Sequence, residues 1–498
     1  MRLAHGVALA VLAACAPSTE EPARPNVLLV TIDTLRADHL SCYGYERPTS
    51  PHLDRLAAEG WRFTHAQSPR AKTTPSIATI LSGLYPHGHG VRDLSAPLEA
   101  GVPLLQEMLG DAGYRTAGLV GNFVLIDERA GLARGFESWE ESLPDVRGVP
   151  PHAAPQRVAS SVTDGALELL ATRDERPWFL WLHYMDPHGA YAAPAEHRLF
   201  ASPDARLLPL ESDLPPSKLH RYRVADYNVP ETARRPGGRT DVAAVIDEYD
   251  AEIHYVDAEV GRLLEHLRAE RLLDRTLVIV TSDHGESLGE HRYWFEHGAY
   301  AYEATCRVPL IVRPPASLAT RLQAAAGVRN ADVSLADIAP TVLDLLDLPN
   351  PHPGPGAYRG HSRVGSFTGS APSTEPVFSE KVERAELDGA VQAKAVRMGD
   401  WKLIRRYAHR PAHTQAGARE LLALSDELFD LATDPHEEHD LSEAPPPGAP
   451  LEALRAALLG FAAADEHFPE LDQILQRRRE ALEREDAEAL DVLRALGY

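Results

Sequence analysis

Asn26–Ile32 (NVLLVTI) is a continuous apolar, β-branched run, and it constrains the fold of this chain more than any other feature. A strand with one wet face alternates apolar and polar residues. A continuous run marks a strand covered on both faces, as in a mainly parallel sheet between helices. Similar runs recur at Arg115–Val120, Trp178–Tyr184, Thr276–Val280 and Val308–Val312, and helical patterns lie between them. Ser50-Pro51 opens one such helix as N-cap and first turn, Leu53, Leu56 and Ala57 form its apolar side, and Gly60 closes it. Asp247–Arg268 is a longer one, with Ile253, Val256, Val260, Leu263 and Leu264 on one side. Strands alternating with helices predict an α/β sandwich, a mainly parallel central sheet flanked by helices.

Residues 196–240 interrupt this rhythm with Pro, Arg and polar residues that show no period. Irregular stretches of that length are usually functional or unstructured, and a lid over a site or a solvated excursion fits equally well. A Gly/Pro/Ser-rich segment at 350–375 separates the main body from a C-terminal part. There AVRMGDWKLIRRY (395–407) and ELFDL (427–431) read as short strands of a smaller sheet. From Leu451 the pattern is helical, and the Glu/Arg alternation over 474–488 reads as a solvated helix face. The expected division is a main domain over 25–385 and a C-terminal sheet-plus-helix subdomain over 386–498.

The first residues set the compartment. Arg2 precedes a short apolar run, Gly6–Ala14, far below the roughly 20 residues of a membrane-spanning helix, so it reads as the h-region of a signal peptide. Leu12-Ala13-Ala14-Cys15 has the form of a bacterial lipobox, small residues ahead of a cysteine that accepts diacylglycerol. Residues 1–15 are therefore expected to be signal and lipobox, and 16–24 a polar tether. The protein is expected to be an exported lipoprotein on the periplasmic or cell-surface face. Only Cys42 and Cys306 remain after processing, too few for a disulfide framework, and buried thiols are the simpler expectation. A net charge of −23 argues against nucleic acid as a partner. It leaves a small anionic substrate open, because a metal or an arginine reverses the sign inside a pocket.

In open α/β sheets ligands collect beyond the carboxyl ends of the strands, and two strand ends here carry acids. Asp33 follows the first run, and Asp283-His284 follows TLVIVTS. A lone acid at such a point either caps a helix or binds a ligand, and Asp33 taken by itself favours the cap. Two adjacent metal-type side chains at one strand end are harder to explain as a cap. In Lys72-Thr73-Thr74-Pro75-Ser76, Pro75 and Ser76 sit where a helix begins, so Thr73 is expected just outside its N-terminus. Free N–H groups and the helix dipole there suit an anion. A hydroxyl at that point also serves as a plain N-cap, and spacing alone favours the cap.

Residues 25–91, from PNVLLVTIDTLRADHL through SGLYPHGHGV, resemble the N-terminal signature of sulfatases, a branch of the alkaline-phosphatase superfamily. HYMDPHGAY (183–191), YDAEIHYVDAEVGRLL (249–264), SDHGESLGEH (282–291), HGAYAYEATCRVPLIV (297–312), DVSLADIAPTVLDLL (332–346) and ELFDLATDPHEEHDL (427–441) extend the resemblance in order. It implies a metal-dependent hydrolase of sulfate or phosphate/phosphonate esters. Asp33, Asp283 and His284 match the family's metal ligands, and Thr73 falls at the place of the nucleophile, beside the ion. His188 and His297 match positions that touch the ester or protonate the leaving group. Asn122 stands in a segment where many relatives carry an anion-binding Lys. Lys72 and Arg36 are further cations near the site, each equally fit for a structural ion pair. Oxygen ligands with one imidazole suit one divalent ion, Ca, Mn or Mg, with Zn compatible.

Two departures matter. The family's nucleophile frame is Cys-x-Pro-Ser-Arg, with the cysteine oxidised to formylglycine; here it reads Thr73-Thr74-Pro75-Ser76-Ile77. Threonine yields no formylglycine, and Ile77 replaces the Arg that holds the aldehyde hydrate. The Lys-x-His pair of relatives is replaced by Asn122 and Val124. Superfamily members with Thr or Ser act on phosphorus, which favours phosphorus esters over sulfate esters. The competing expectation is a non-catalytic binding protein on a sulfatase fold, against which the retained ligands speak. The expected partner is an anionic small-molecule, glycan or lipid ester, met at a membrane reached through lipid on Cys15. Cys15→Ser should leave the precursor uncleaved or release it from the membrane fraction, as read by fractionation and intact mass. Normal processing with full membrane retention contradicts the lipobox.

Overall fold

The computed structural model describes residues 24–94, 97–143, 156–208, 223–352, 359–368, 375–381, 392–410 and 420–465. The signal and lipobox, the tether up to residue 23 and the 474–488 stretch lie outside the described residues. An eight-stranded sheet forms the centre, in the order β13 (Gly327–Ser334), β2 (Trp61–Gln67), β12 (Arg307–Arg313), β9 (Thr276–Ser282), β1 (Asn26–Ile32), β5 (Trp178–Tyr184), β3 (Arg115–Val120) and β4 (Ser138–Glu140). β12 runs antiparallel to both neighbours, and the other pairs are parallel.

The composition of β1 accounts for the layers around it. Val27 and Leu29 enter one core, while Leu28, Val30 and Ile32 enter the other. A strand that is apolar on both sides needs a layer on each. Helices Pro51–Glu59, Ala159–Ala171 and Val242–Ala269 cover the Leu28 side. Helices Thr73–Ser82, Leu105–Asp111 and Ile338–Leu345 cover the Val27 side. The helix expected after Ser50 is present, with Ser50 at the N-cap and Pro51 first in the helix as expected, but the side-chain acceptor for its first N–H groups comes from elsewhere. The Ser50 hydroxyl donates to Asp54, and the N–H groups of His52 and Leu53 donate to Asp257 of the 242–269 helix. Burial pushes that Asp257 carboxyl up to about 7.

Part of the irregular 196–240 stretch is tied to the body of the protein. β6 (Arg223–Val224) pairs with β11 (Tyr293–Glu296), which pairs in turn with β10 (Ser287–Leu288). β7 (Arg234–Arg235) and β8 (Arg239–Thr240) form a short hairpin. A separate antiparallel sheet comprises β14 (Val377–Lys381), β15 (Gln392–Met398), β16 (Trp401–Arg410) and β17 (Glu420–Asp430). The 395–407 run is thus two strands, folded over at Gly399, whose φ of 61° suits glycine. One face of this sheet packs on helix Leu451–Ala463 through Leu454 and Leu458, and the other meets Ala301, Tyr302 and Cys306 of the main body. Cys42 and Cys306 are free thiols. Among the described residues no helix is long and apolar enough to cross a membrane.

A buried ion cluster joins the small sheet to the main one. Glu303 accepts from Gln67 at 3.0 Å, from Lys402 at 2.9 Å and from Arg397 at 2.5 Å, and Lys402 also reaches Glu437 at 2.9 Å. Burial alone would raise the Glu303 carboxyl, but Lys402 and then Arg397 hold it at about 2. Glu303→Ala removes the carboxylate that both cations share, leaving Lys402 to Glu437 at 2.9 Å and Arg397 to Asp332 at 3.6 Å, and is expected to cost about 3 kcal/mol, the low end of the range for breaking a buried pair. Because the folded value lies below the ordinary 4.5, this contribution is complete above that pH and fades as pH falls toward 2. Acid unfolding of Glu303→Gln should be correspondingly shallower. An unchanged denaturation midpoint for Glu303→Ala would mean the sheet docks through its apolar face alone.

Candidate active site

Ile32 of β1 lies in register with Ser282 of β9, so Asp33 and Asp283 leave the sheet side by side at its carboxyl edge. Both are fully buried, as is His284. On each carboxylate one oxygen is held and one is not. Asp33 Oδ2 accepts from Asn122 Nδ2 at 2.6 Å and from His183 Nε2 at 3.3 Å. Asp283 Oδ1 accepts from the backbone N–H of His284 at 2.9 Å and of Thr34 at 3.3 Å. Asp33 Oδ1 and Asp283 Oδ2 have no hydrogen-bond partner among the described residues. His284 donates Nδ1–H to the Gly285 carbonyl at 3.0 Å, which turns the Nε2 lone pair inward. That nitrogen lies 3.4 Å from Asp283 Oδ2 and 3.8 Å from Asp33 Oδ1.

Asp33, Asp283 and His284 each offer a ligand atom within 4.8 Å of the others, and the set fits a divalent cation. A buried, unsatisfied carboxylate oxygen is unfavourable on its own, and two facing each other repel. Burial, and then the charge of Asp33, push Asp283 upward. Asp33 is held well below the usual carboxylate range: burial opposes this, but His183, then His188 and His284, outweigh it. Burial lowers His284, which keeps the imidazole neutral and its lone pair available. One ion satisfies two oxygens and one imidazole together. A second group with metal-like spacing, His87, Glu380 and Asp465, is different in kind. Lys394 lies 2.7 Å from Glu380 and 3.2 Å from Asp465, and Arg92 lies 2.5 Å from Asp465, so both carboxylates already have countercharges.

The helix carrying Thr73 begins earlier than Pro75-Ser76 suggested. It spans Thr73–Ser82 with Lys72 at the N-cap, so Thr73 is its first residue. Pro75 is tolerated in the first turn because its missing N–H has no acceptor within the helix there. The Thr73 hydroxyl lies 3.4 Å from His284 Nε2 and 3.5 Å from Asp33 Oδ2. Ser76 donates to the Asp283 carbonyl at 2.7 Å and fastens the helix to the end of β9. Ile77 is fully buried in the core.

The remaining expected residues fall into two groups. His297 Nδ1 lies 3.3 Å from Glu286, and its ring is 4.3 Å from that of His284 and 5.2 Å from that of His188. Burial would lower His297, but Glu286 overrides it and raises the imidazole to about 9. His188 Nδ1 bonds the Gly189 carbonyl at 2.7 Å, leaving Nε2 free of that contact. Asn122 accepts from Val124 N–H at 2.9 Å while its amide nitrogen braces Asp33. Lys72 pairs with Asp93 at 2.8 Å, and Arg36 pairs with Asp38 and Glu290 at 2.7 and 2.8 Å. Lys72 and His297, with Tyr227, Tyr293 and Glu296, line a cavity of about 550 Å³. Sequence reasoning missed His183 and Glu286. His183 is hidden inside an apolar strand run, whereas Glu286, two residues beyond His284, carried a usable signal. Asp283→Ala should bring bound metal from one ion per chain to none, by elemental analysis of purified protein. Full occupancy in that variant would remove Asp283 from the ligands.

Residues 25–348 match the sulfatase family. An N-acetylglucosamine-6-O-sulfatase of Bacteroides thetaiotaomicron is 28% identical over 405 residues, covering 68% of this chain and 71% of the relative. Among solved structures, one in complex with its substrate D-glucosamine-2-N,6-O-disulfate superposes with a TM-score of 0.69 at 21% identity, over 89% of this chain and 98% of that one. The phosphonate monoester hydrolase of Agrobacterium radiobacter gives 0.64 at 21% identity, over 89% and 96%. With the family match spanning well over half of its length, the chain belongs to the sulfatase family.

Proposed function

We propose that this sulfatase-family hydrolase cleaves phosphate or phosphonate esters through a covalent adduct on Thr73, and that it works as a lipoprotein tethered through Cys15. The observation that carries this reading is the Thr73 hydroxyl at a helix N-terminus, within 3.5 Å of both His284 and Asp33. Asp33, Asp283 and His284 would hold one divalent ion, Ca, Mn or Mg, with Zn compatible; when bound it supplies positive charge that lowers the pKa of a neighbouring hydroxyl and offsets the charge of the ester. Thr73 Oγ attacks phosphorus, forming the Oγ–P bond as the bond to the leaving oxygen breaks. His188 is the candidate acceptor for the hydroxyl proton. His297, kept cationic by the buried Glu286, gives a proton to the leaving oxygen. Water then attacks phosphorus in line as the Oγ–P bond breaks, giving a proton to His297, while His188 returns its proton to the Thr73 oxygen.

The preference for phosphorus follows from the side chain. An aldehyde hydrate expels sulfate by elimination through its second hydroxyl, and threonine has one hydroxyl only. Water attacking phosphorus needs no such group. The likeness to a phosphonate monoester hydrolase fold is compatible with this. The 550 Å³ cavity beside His297 is the candidate place for the ester's organic part, an anionic small-molecule, glycan or lipid ester.

Thr73→Ala should abolish turnover, because general acid–base effects of about 10²–10⁴-fold do not substitute for a nucleophile. Thr73→Ser should retain measurable activity. A capping role predicts instead a stability loss of about 0.5–2 kcal/mol with the rate nearly intact. Rapid-quench mass spectrometry with an aryl phosphate or phosphonate ester should find the phosphoryl group on Thr73. Native turnover by Thr73→Ala without an adduct would place the nucleophile elsewhere.

A further inference from the structure

Two N–H donors converge on Asp33 Oδ2, with the Thr73 hydroxyl at the longer distance of 3.5 Å, and one of the two is controlled from behind. His183 is fully buried in β5, paired in register with Thr31 of β1. Thr31 Oγ1 lies 2.9 Å from His183 Nδ1, and the indole N–H of Trp181 donates to the same Oγ1 at 3.0 Å. An indole N–H can only donate, a hydroxyl has one hydrogen to give, and a neutral imidazole carries one N–H. If that N–H were on Nδ1, Nε2 would set a lone pair against the Asp33 oxygen 3.3 Å away. For a neutral ring the arrangement that satisfies every atom runs in one direction: Trp181 to Thr31, the Thr31 hydroxyl to His183 Nδ1, and His183 Nε2–H to Asp33 Oδ2. The Leu182 carbonyl, at 3.2 Å, is the longer alternative for the Thr31 hydrogen.

Asn122 supplies the other donor to Asp33 Oδ2, and its orientation is fixed by the Val124 N–H on its carbonyl oxygen. Two N–H groups on one oxygen leave Asp33 a single open oxygen, Oδ1. We propose that Trp181, Thr31 and His183 form a directional hydrogen-bond relay that occupies Asp33 Oδ2 and reserves Oδ1 for the metal, making His183 a positioning residue of the metal centre. The inference rests on Asp33, Asp283 and His284 being the metal ligands. Partners behind a ligand typically change metal affinity by about 10–100-fold when removed.

The test is titration of Mn²⁺ into the metal-free full-length protein by calorimetry. His183→Leu should weaken Mn²⁺ binding by about 10–100-fold. His183→Gln, whose amide N–H can still reach Asp33, should recover part of the loss. Thr31→Val keeps a β-branched shape suited to the strand and should weaken binding in the same direction by a smaller factor. In the double variant Thr31→Val should add nothing to His183→Leu, because the relay is already broken. If His183→Leu does not fold, Thr31→Val with a native circular dichroism spectrum decides the matter. A native dissociation constant in Thr31→Val, or losses that add in the double variant, would overturn the relay. Asp283→Ala measured alongside separates the two levels. If it loses Mn²⁺ while the relay variants bind natively, the relay alone falls; if it also binds natively, the ligand assignment falls and the relay with it.

Discussion

Asp33 and Asp283 stand side by side in the dry centre of the molecule, and each has an oxygen that the described protein groups leave unsatisfied. Two such groups cannot both stay ionised in a low-dielectric interior unless a cation lies between them; without one, the Asp283 carboxyl is pushed toward its protonated form. Much of the architecture serves to put them there. Parallel pairing of β1 and β9 brings the two acids out at one level, and apolar layers on both sides of β1 exclude water around them. Backbone N–H groups, Asn122 and His183 each hold a carboxylate by one oxygen only. An ion bound there would stabilise the folded chain by mass action.

The second organising feature is how the site distributes its other charges. Most cations that sequence places near the centre are engaged away from it: Arg36 with Asp38 and Glu290, Lys72 with Asp93. His297 differs, because its partner Glu286 is a fully buried carboxylate with its own contact to Tyr191 at 3.5 Å. A cationic imidazole therefore sits close to the ligand set without being part of it. Asn122 also fits this economy. Its amide nitrogen bonds Asp33 Oδ2 at 2.6 Å and holds that carboxylate without adding a charge.

The layers and the candidate metal ligands were legible in the sequence for the same reason. A strand buried on both faces reads as one continuous run, and Asp33 and Asp283-His284 stand out because they end such runs. Features that depend on distant partners were not legible. His183 lies within WFLWLHY, and its role appears only when Thr31, 152 residues away, is placed opposite it. Ser50 stands at the N-cap of the 51–59 helix as its sequence suggested, but the carboxylate that receives the first N–H groups is Asp257 of another helix, which adjacency in sequence does not reveal. The start of the 73–82 helix was set two residues late because Pro75-Ser76 imitates a start signal, although proline fits anywhere in a first turn. The irregular 196–240 stretch gave no period to read, and its pairing with the 293–296 strand is a purely tertiary fact.

The account turns on which atoms hold the ion, and anomalous diffraction from crystals grown with Mn²⁺ measures that directly. It predicts one strong peak bonded to Asp33 Oδ1, Asp283 Oδ2 and His284 Nε2, within reach of the Thr73 hydroxyl, with Asp33 Oδ2 left to Asn122 and His183. A peak on Asp33 Oδ2, a peak among His87, Glu380 and Asp465 instead, or no ordered ion between the two aspartates would contradict it.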